Sequence, residues 1–366
     1  MATIEDYRTA TGERRWEVRY RTPRNASTRK RGFTTKRDAS AFAATVEVAK
    51  MRGEYVRPVD ARVAIGDLGP AWLDRQVHLK PSSLYPLESA WRLHVEPRWG
   101  DAQLGAVQFT DVQSWVAGLN RTHGATMVIR CAGVLRAILA DAVRDRLISA
   151  SPMIGVKLPR KVSREHRYLN HDQVWQLAAA AGKWGTLVLT LSYTGLRWGE
   201  ATGLRVRDLD LLRRRLTVVQ NAVRVGTEII IGTPKSHRSR TVPIPRLLVE
   251  RLARQCEGKG PDSLVFEAPT GGPVKQPNGS RGWFERARVE AGLPELSPHD
   301  LRHTAASLAV SAGASVKLLA LMLGHADPGI TLRIYADLYP EDLDSVADRL
   351  DAAASESVSK WCPVAV

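Results

Sequence analysis

Leu187-Val-Leu-Thr-Leu-Ser-Tyr-Thr-Gly-Leu-Arg-Trp-Gly-Glu200 sets the frame for the rest of the chain. Leu187 to Ser192 is an apolar helical run, Gly195 breaks it, and Arg197 opens the next helix. A guanidinium at a helix start is placed to clamp a phosphate, because its fork of donors and the free backbone N–H groups face the same way. Glu200 lies one turn on, where it can orient Arg197. Taken alone, an arginine near a helix start is equally an ordinary surface residue.

Three further motifs follow. Gly232-Thr-Pro-Lys235 stands between two expected strands, Glu228–Ile231 and Arg240–Ile244, and a lysine on such a hairpin tip is mobile enough to protonate a leaving oxygen. In Ser297-Pro-His-Asp-Leu-Arg-His303, Pro298 suits a first helical position with Ser297 as N-cap, and His299 and Arg302 share one face. His303 follows His299 at i+4, but no HExxH and no third ligand stand nearby in sequence, so this face suits an anion better than zinc. Leu323-Gly-His-Ala326 ends a helix at Gly324, puts His325 on the turn, and leads through Thr331 to Tyr335 on the next short helix. Each motif alone has a bland reading: hairpin lysines are mostly solvated, and a lone tyrosine is usually packing.

Around these motifs the chain reads as α+β. A small N-terminal β-sheet-plus-helix domain (residues 1–57) is followed by a helical segment (65–150). Residues 165–350 form a mostly helical domain with a small antiparallel sheet, and 351–366 a tail. Residues 1–57 hold 14 Lys/Arg against 7 Asp/Glu, a net +7, with Arg21, Arg24, Arg29, Lys30 and Arg31 on or near the expected strands. The same residues equally fit a solvated basic face. Residues 58–66 read as a linker, and a second one, 151–167, carries Lys157, Arg160 and Lys161, as expected of a chain running along a polyanion or of an ordinary solvated linker. The helical segment places Trp72, Trp91, Leu93 and Trp115 at helical spacing, which reads as core rather than as a stacking platform. Residues 341–360 reverse the charge, with 6 acidic against 2 basic residues.

The whole chain has 366 residues and a formal net charge of +15, which points to a polyanionic partner, nucleic acid or an acidic membrane surface. No apolar stretch is long enough to span a bilayer, and no apolar leader is expected at the N-terminus. Three scattered cysteines, Cys131, Cys256 and Cys362, suggest a reduced, cytoplasmic protein without a disulfide framework or structural metal.

The order Arg197…Lys235…His299-x-x-Arg302…Gly324-His325…Tyr335 resembles the tyrosine recombinases, the phage-type integrase family. More loosely, His94-Val-Glu-Pro-Arg-Trp-Gly100 with Leu104 and Val107 resembles that family's core-site-binding domain, and the basic N-terminal block its lambda-like arm-site-binding domain. The resemblance implies that Tyr335 attacks a scissile phosphate and forms a 3′-phosphotyrosyl link, with Arg197 and Arg302 clamping the non-bridging oxygens. Lys235 would protonate the departing 5′-oxygen, His299 would assist proton transfer at the nucleophile, and His325 would hydrogen-bond the phosphate at a position some members fill with Trp. Glu200 would steady the site. Residues 335–337 are Tyr-Ala-Asp, where many members carry a His two places after the tyrosine.

Physics fits those roles. A tyrosine of ordinary pKa near 10 must be activated, and neighbouring cations are expected to lower it. Losing one donor to the developing charge costs about 2.7–4 kcal/mol of barrier. The cations stand in for divalent metals, and the phosphotyrosyl bond conserves the phosphodiester's energy, so neither metal nor ATP is expected; no GxxxxGK[ST] stretch is present. The expected partners are double-stranded attachment sites, a homotetramer on DNA, a host DNA-bending protein and a directionality factor. Two other functions stay open at this point: a non-catalytic DNA-binding regulator on the same scaffold, and a chromosome-dimer resolvase or topoisomerase-like enzyme.

Overall fold

The computed structural model describes all residues except 1, 24, 53–54, 58, 163–165, 234–238, 278–281, 340–346, 349 and 356–366. The chain divides into two units, Met1–Ser163 and Arg164–Val366.

The first unit opens with three antiparallel strands, β1 (Thr3–Arg8), β2 (Arg14–Arg21) and β3 (Ser27–Phe33), covered by α1 (Lys36–Met51). Alternation along β2 sends Val18 and Tyr20 to the helix, where they pack on Ala39, Ala43 and Val46. Thr35 caps α1 by accepting from the Asp38 N–H. Five helices follow: α2 (Ile65–Asp74), α3 (Pro81–Ala90), α4 (Glu96–Trp99), α5 (Phe109–Thr122) and α6 (Ala125–Arg144). The segment expected as a linker up to residue 66 already contains structure, since Asp60–Arg62 forms a 3-10 turn and the fully buried Ile65 starts α2. Trp91–Val95 forms a π turn between α3 and α4. That wider turn places Trp91, Val95 and Trp99 in the core and leaves Leu93 54% exposed, against the expectation for Leu93. Gly69 makes room for the Trp91 ring, as a Cβ there would lie 2.1 Å from it.

The second unit is built around α8 (Gly185–Thr194), which is buried nearly all round and packs on α7 (His171–Ala180) and on α12 (Asp300–Ser311). An encircled helix needs apolar residues on every face, and Leu187, Val188, Leu189 and Leu191 supply them. Two of its threonines bond backwards to carbonyls one turn earlier, Thr190 to Thr186 and Thr194 to Thr190, so these two hydroxyls are met. After α9 (Trp198–Thr202) come β4 (Leu209–Asp210), β5 (Arg215–Val218), β6 (Asn221–Val225), β7 (Glu228–Gly232) and β8 (Arg240–Pro243). Then follow α10 (Arg246–Cys256), α11 (Trp283–Glu290), α12, α13 (Val316–Leu323) and α14 (Pro328–Tyr335).

The strands differ from the single sheet expected. They form one sheet ordered β4-β5-β8 and a separate pair β6-β7. β7 and β8, which flank Lys235, are therefore not each other's partners, and the segment between them joins two sheets rather than closing a hairpin. The start of α12 also differs: the helix begins at Asp300, because the Asp300 carboxylate reaches back to the Ser297 N–H and hydroxyl, both at 2.7 Å, and closes the Ser297–His299 turn from outside.

Candidate active site

The geometry is set by two glycines in the left-handed region. Gly195, at φ +65°, ends α8 and turns the chain so that Arg197 caps α9. A Cβ on Gly195 would come within 2.6 Å of Leu323, so the turn lies directly against the end of α13. Gly324, at φ +69°, ends α13, and a Cβ there would meet Arg240 at 2.8 Å. Two chain reversals far apart in sequence thus share one corner.

Arg302 ties them together. Its Nη1 donates to the Gly195 carbonyl at 2.5 Å and its Nη2 to the Leu323 carbonyl at 2.6 Å, while Nη2 also meets His325 Nε2 at 3.2 Å. The side chain is 4% exposed, and burial followed by the charge of Arg197 works against its own charge. Because Arg302 has only donors, His325 Nε2 accepts, which puts the ring proton on Nδ1, where it donates to Thr331 Oγ1 at 2.8 Å. Burial, and then Arg302, Arg197 and Arg240, push His325 down to about 4, so the ring is neutral at pH 7.

Glu200 is 1% exposed and organises the arginines. It accepts the Arg197 N–H at 2.9 Å and Arg197 Nη1 at 2.8 Å, and takes a two-pronged contact from Arg240 at 3.0 and 2.6 Å. Arg240 also donates to the Met322 carbonyl at 3.1 Å. Burial alone would raise the Glu200 carboxyl; the hydrogen bonds and charge of Arg240, with Arg197, overcome it and hold the group at about 2. Arg197 keeps 28% of its side chain exposed, so its guanidinium is both oriented and accessible.

Tyr335 sits differently from what the sequence suggested. It closes α14, is 1% exposed, and packs with Ala306, Val310, Leu319 and Leu323. Burial raises the phenol to about 12 despite the opposing charges of Arg302 and Arg197; the expected lowering by cations is outweighed because the ring is out of water. Its Oη lies 2.9 Å from His303 Nδ1. His303 is itself buried and pushed down to about 4, first by burial and then by His166 and His299. His299 is solvent-exposed at its surface, yet burial among its neighbours and then Arg302 lower its basicity, and its ring meets His303 edge-on with centroids 5.0 Å apart.

His166 lies over His303 with centroids 3.9 Å apart, and Asp300 is close to both. His166, Asp300 and His303 each bring one nitrogen or carboxylate oxygen within 4.8 Å of the others, although Asp300 Oδ2 already accepts from Ser297 and His303 Nδ1 faces the phenol. Lys235 and Arg24 lie outside the described residues. The exposed Arg21, Arg29 and Arg31 are on the N-terminal sheet, and the exposed Lys157, Arg160 and Lys161 on the linker. The register separates Lys30 from its neighbours: it pairs with the core residue Val18 and covers the Phe42 ring at 4.4 Å, whereas Arg29 pairs with Arg19 on the other side. Reasoning from sequence missed Arg240, Thr331 and Arg19. The first two are isolated residues whose partners come from other turns; Arg19 was visible only as one more cation in an alternating strand.

Residues 167–342 match the phage integrase family. With Arg197, Glu200, His299, Arg302, His325 and Tyr335 all inside that span, the chain belongs to the tyrosine recombinases of the phage integrase family. It is 27% identical to the integrase of Mycobacterium phage D29, over 83% of this chain and 84% of that one. It is 29% identical to the integrase of Mycobacterium phage L5, over 70% of each. Among solved structures, the fold matches the Tn1549 transposon integrase in complex with a circular intermediate DNA. There the TM-score is 0.65 at 18% identity, over 79% of this chain and 99% of that one. It also matches a lambda integrase tetramer bound to a Holliday junction, with TM-score 0.59 at 18% identity, over 88% and 96%. The recombinase is thus a DNA strand transferase performing site-specific cleavage and rejoining.

Proposed function

We propose that this recombinase integrates and excises phage DNA, with Tyr335 as nucleophile. Its Oη attacks the scissile phosphorus and leaves the 3′-phosphate on the enzyme, while the 5′-oxygen departs with a proton from Lys235. Arg197 and Arg302 neutralise the non-bridging oxygens, His299 assists proton transfer on the nucleophile side, His325 hydrogen-bonds the phosphate, and Glu200 holds Arg197 in place. The observation that carries this reading is Arg302, whose two donors on Gly195 and Leu323 and whose contact with His325 draw three separate motifs to one point. To donate to the phosphate the neutral His325 ring carries its proton on Nε2, with the Thr331 hydroxyl then donating to Nδ1, a tautomer that an anion beside Arg302 favours. No cofactor or metal takes part.

Residues 1–57 bind arm-type sites, 65–150 the core site, and 165–350 carry out catalysis, with the segment 351–366 as a tail. Arg21, Arg24, Arg29, Lys30 and Arg31, with Lys157, Arg160 and Lys161 on the linker, contact the DNA. The D29 and L5 relatives are both named integrases, which favours integration over dimer resolution. The assembly is a homotetramer on double-stranded attachment sites, aided by a DNA-bending protein and a directionality factor in the bacterial cytoplasm. No helix among the described residues is long and apolar enough to cross a membrane. The test is a nicked suicide duplex carrying the attachment core. The wild-type protein forms a covalent adduct, and Tyr335→Phe binds with unchanged affinity and forms none. An adduct surviving that change, through Tyr339 or any other residue, overturns the assignment.

A further inference from the structure

The proposed role of His299 is to help proton transfer on the nucleophile side, and that of His325 lies at the phosphate. The contact made by the nucleophilic oxygen itself is different: Tyr335 Oη lies 2.9 Å from His303 Nδ1. His303 neighbours Arg302 on α12, is 6% exposed, and is held between His166, stacked at 3.9 Å, and His299, edge-on at 5.0 Å. We propose that His303 is a further catalytic residue, the group that takes the phenol proton as Tyr335 attacks. That role rests on Tyr335 being the nucleophile.

In cleavage, His303 starts neutral with its proton on Nε2 and accepts the phenol's hydrogen bond at Nδ1. The Oη–H bond breaks, its proton moves to Nδ1, and His303 becomes an imidazolium. The Oη–P bond forms, the P–O5′ bond breaks, and the leaving oxygen takes a proton from the acid on the other side. In rejoining, the 5′-hydroxyl returns its proton to the group that supplied it, the O5′–P bond forms, the P–Oη bond breaks, and Oη recovers its proton from His303.

The surroundings keep the ring ready for this. Four titratable or charged side chains act on His303 besides Tyr335: His166, His299 and Arg302 disfavour its protonation and Asp300 favours it. On Tyr335 act Arg302, Arg197 and Tyr168. Pushed down to about 4, the ring is neutral at pH 7, as a base must be. With the phenol at about 12, the proton stays on oxygen in the empty site. Transfer becomes favourable only when a phosphate, clamped by the two arginines, draws the oxygen's electrons into a new bond.

The test measures single-turnover adduct formation on two suicide duplexes, one normal and one with sulfur in place of the bridging 5′-oxygen. A sulfur leaving group needs no acid, so the second duplex removes the leaving-group side from the measurement. His303→Asn puts an amide oxygen near Nδ1 that keeps the hydrogen bond but accepts no proton. The expected result is a loss of about 10²-fold or more on both duplexes with DNA affinity unchanged. The residual rate should climb with pH across the range where the wild type is flat. His303→Ala should regain adduct formation with added imidazole, a readout that a merely structural histidine would not give and one that serves if His303→Asn folds poorly. A His303→Asn rate equal to wild type or faster overturns the proposal, as does a loss confined to the oxygen duplex or an absence of rescue. Tyr335→Phe run in parallel keeps the two failures apart. An adduct in that variant removes the nucleophile assignment, whereas no adduct there and a normal rate in His303→Asn removes only the role of His303.

Discussion

Each unit of the molecule buries one glutamate between two arginines, and the two triads are built for opposite purposes. Glu17 on the N-terminal sheet is 2% exposed and accepts from Arg19 at 2.7 Å and Arg31 at 2.5 Å, yet those side chains remain 50% and 47% exposed. Its cover is the guanidinium arms themselves, not core. Glu200 is 1% exposed and accepts from Arg197 and Arg240, whose side chains are 28% and 11% exposed. Both carboxyls are lowered: Glu17 by its bonds to Arg31 and Arg19, and Glu200 to about 2 against a strong opposing effect of burial. The difference lies in the arginines. On the sheet they stay hydrated and can exchange Glu17 for an external anion at little cost. In the second unit they are desolvated and fixed, so their geometry exists before any substrate arrives.

The largest break in this comparison should come from Glu200→Gln. Arg240 would face a neutral amide in a nearly dry site, and breaking such a pair costs about 3–5 kcal/mol. Denaturant unfolding should show a loss of that size, and the adduct yield should fall with it because Arg197 loses its anchor. A loss under about 1 kcal/mol would place Glu200 with the surface ion pairs instead.

The contrast also marks what the sequence can disclose. Gly195, Gly324 and the His299/Arg302 face were legible because turns and helix faces are decided within a few residues. The α+β architecture followed from the same local periodicities. Arg240 reaching Glu200 across 40 residues, Arg302 reaching Gly195 across 107 and Tyr335 meeting His303 across 32 were not legible, since no local rule selects a tertiary partner. The direction of the Tyr335 shift was misjudged for the same reason: the cations were visible in the sequence and the burial was not. The strands around Lys235 were found, but their pairing into two sheets depends on β6, which Asn221 and Arg224 disguise as a loop.

A middle-sized effect should separate the units by pH. His303 and His325 lie at about 4 in the fold against an ordinary 6.5, so the unfolded chain binds protons first. The stability they contribute is complete above pH 6.5 and is lost as pH falls toward 4. In the first unit His94 is also lowered, by burial and His123, but it has no buried histidine partner of the His303 kind. Hydrogen exchange on the full chain should therefore show α12 and α14 opening between pH 6.5 and 4 while α1 and β2 stay protected. Equal loss of protection in both units would remove the histidines as its cause.

The smallest effect should come from Glu17→Gln. Arg19 and Arg31 already face water, so losing the carboxylate leaves neither of them stranded, and the melting temperature should shift far less than for Glu200→Gln. Binding should respond in the opposite sense. Two arginines released from an internal anion are available to phosphates, and the variant is one charge more positive. Affinity of the full chain for duplex DNA should rise a few-fold and fall more steeply with salt, by about 0.9 in the log–log slope for each additional phosphate neutralised. If Glu17→Gln instead melts like Glu200→Gln, the sheet's triad is as rigid as the one around Glu200. Exposure of the arginines would then not be what distinguishes an adjustable cationic surface from a preorganised site.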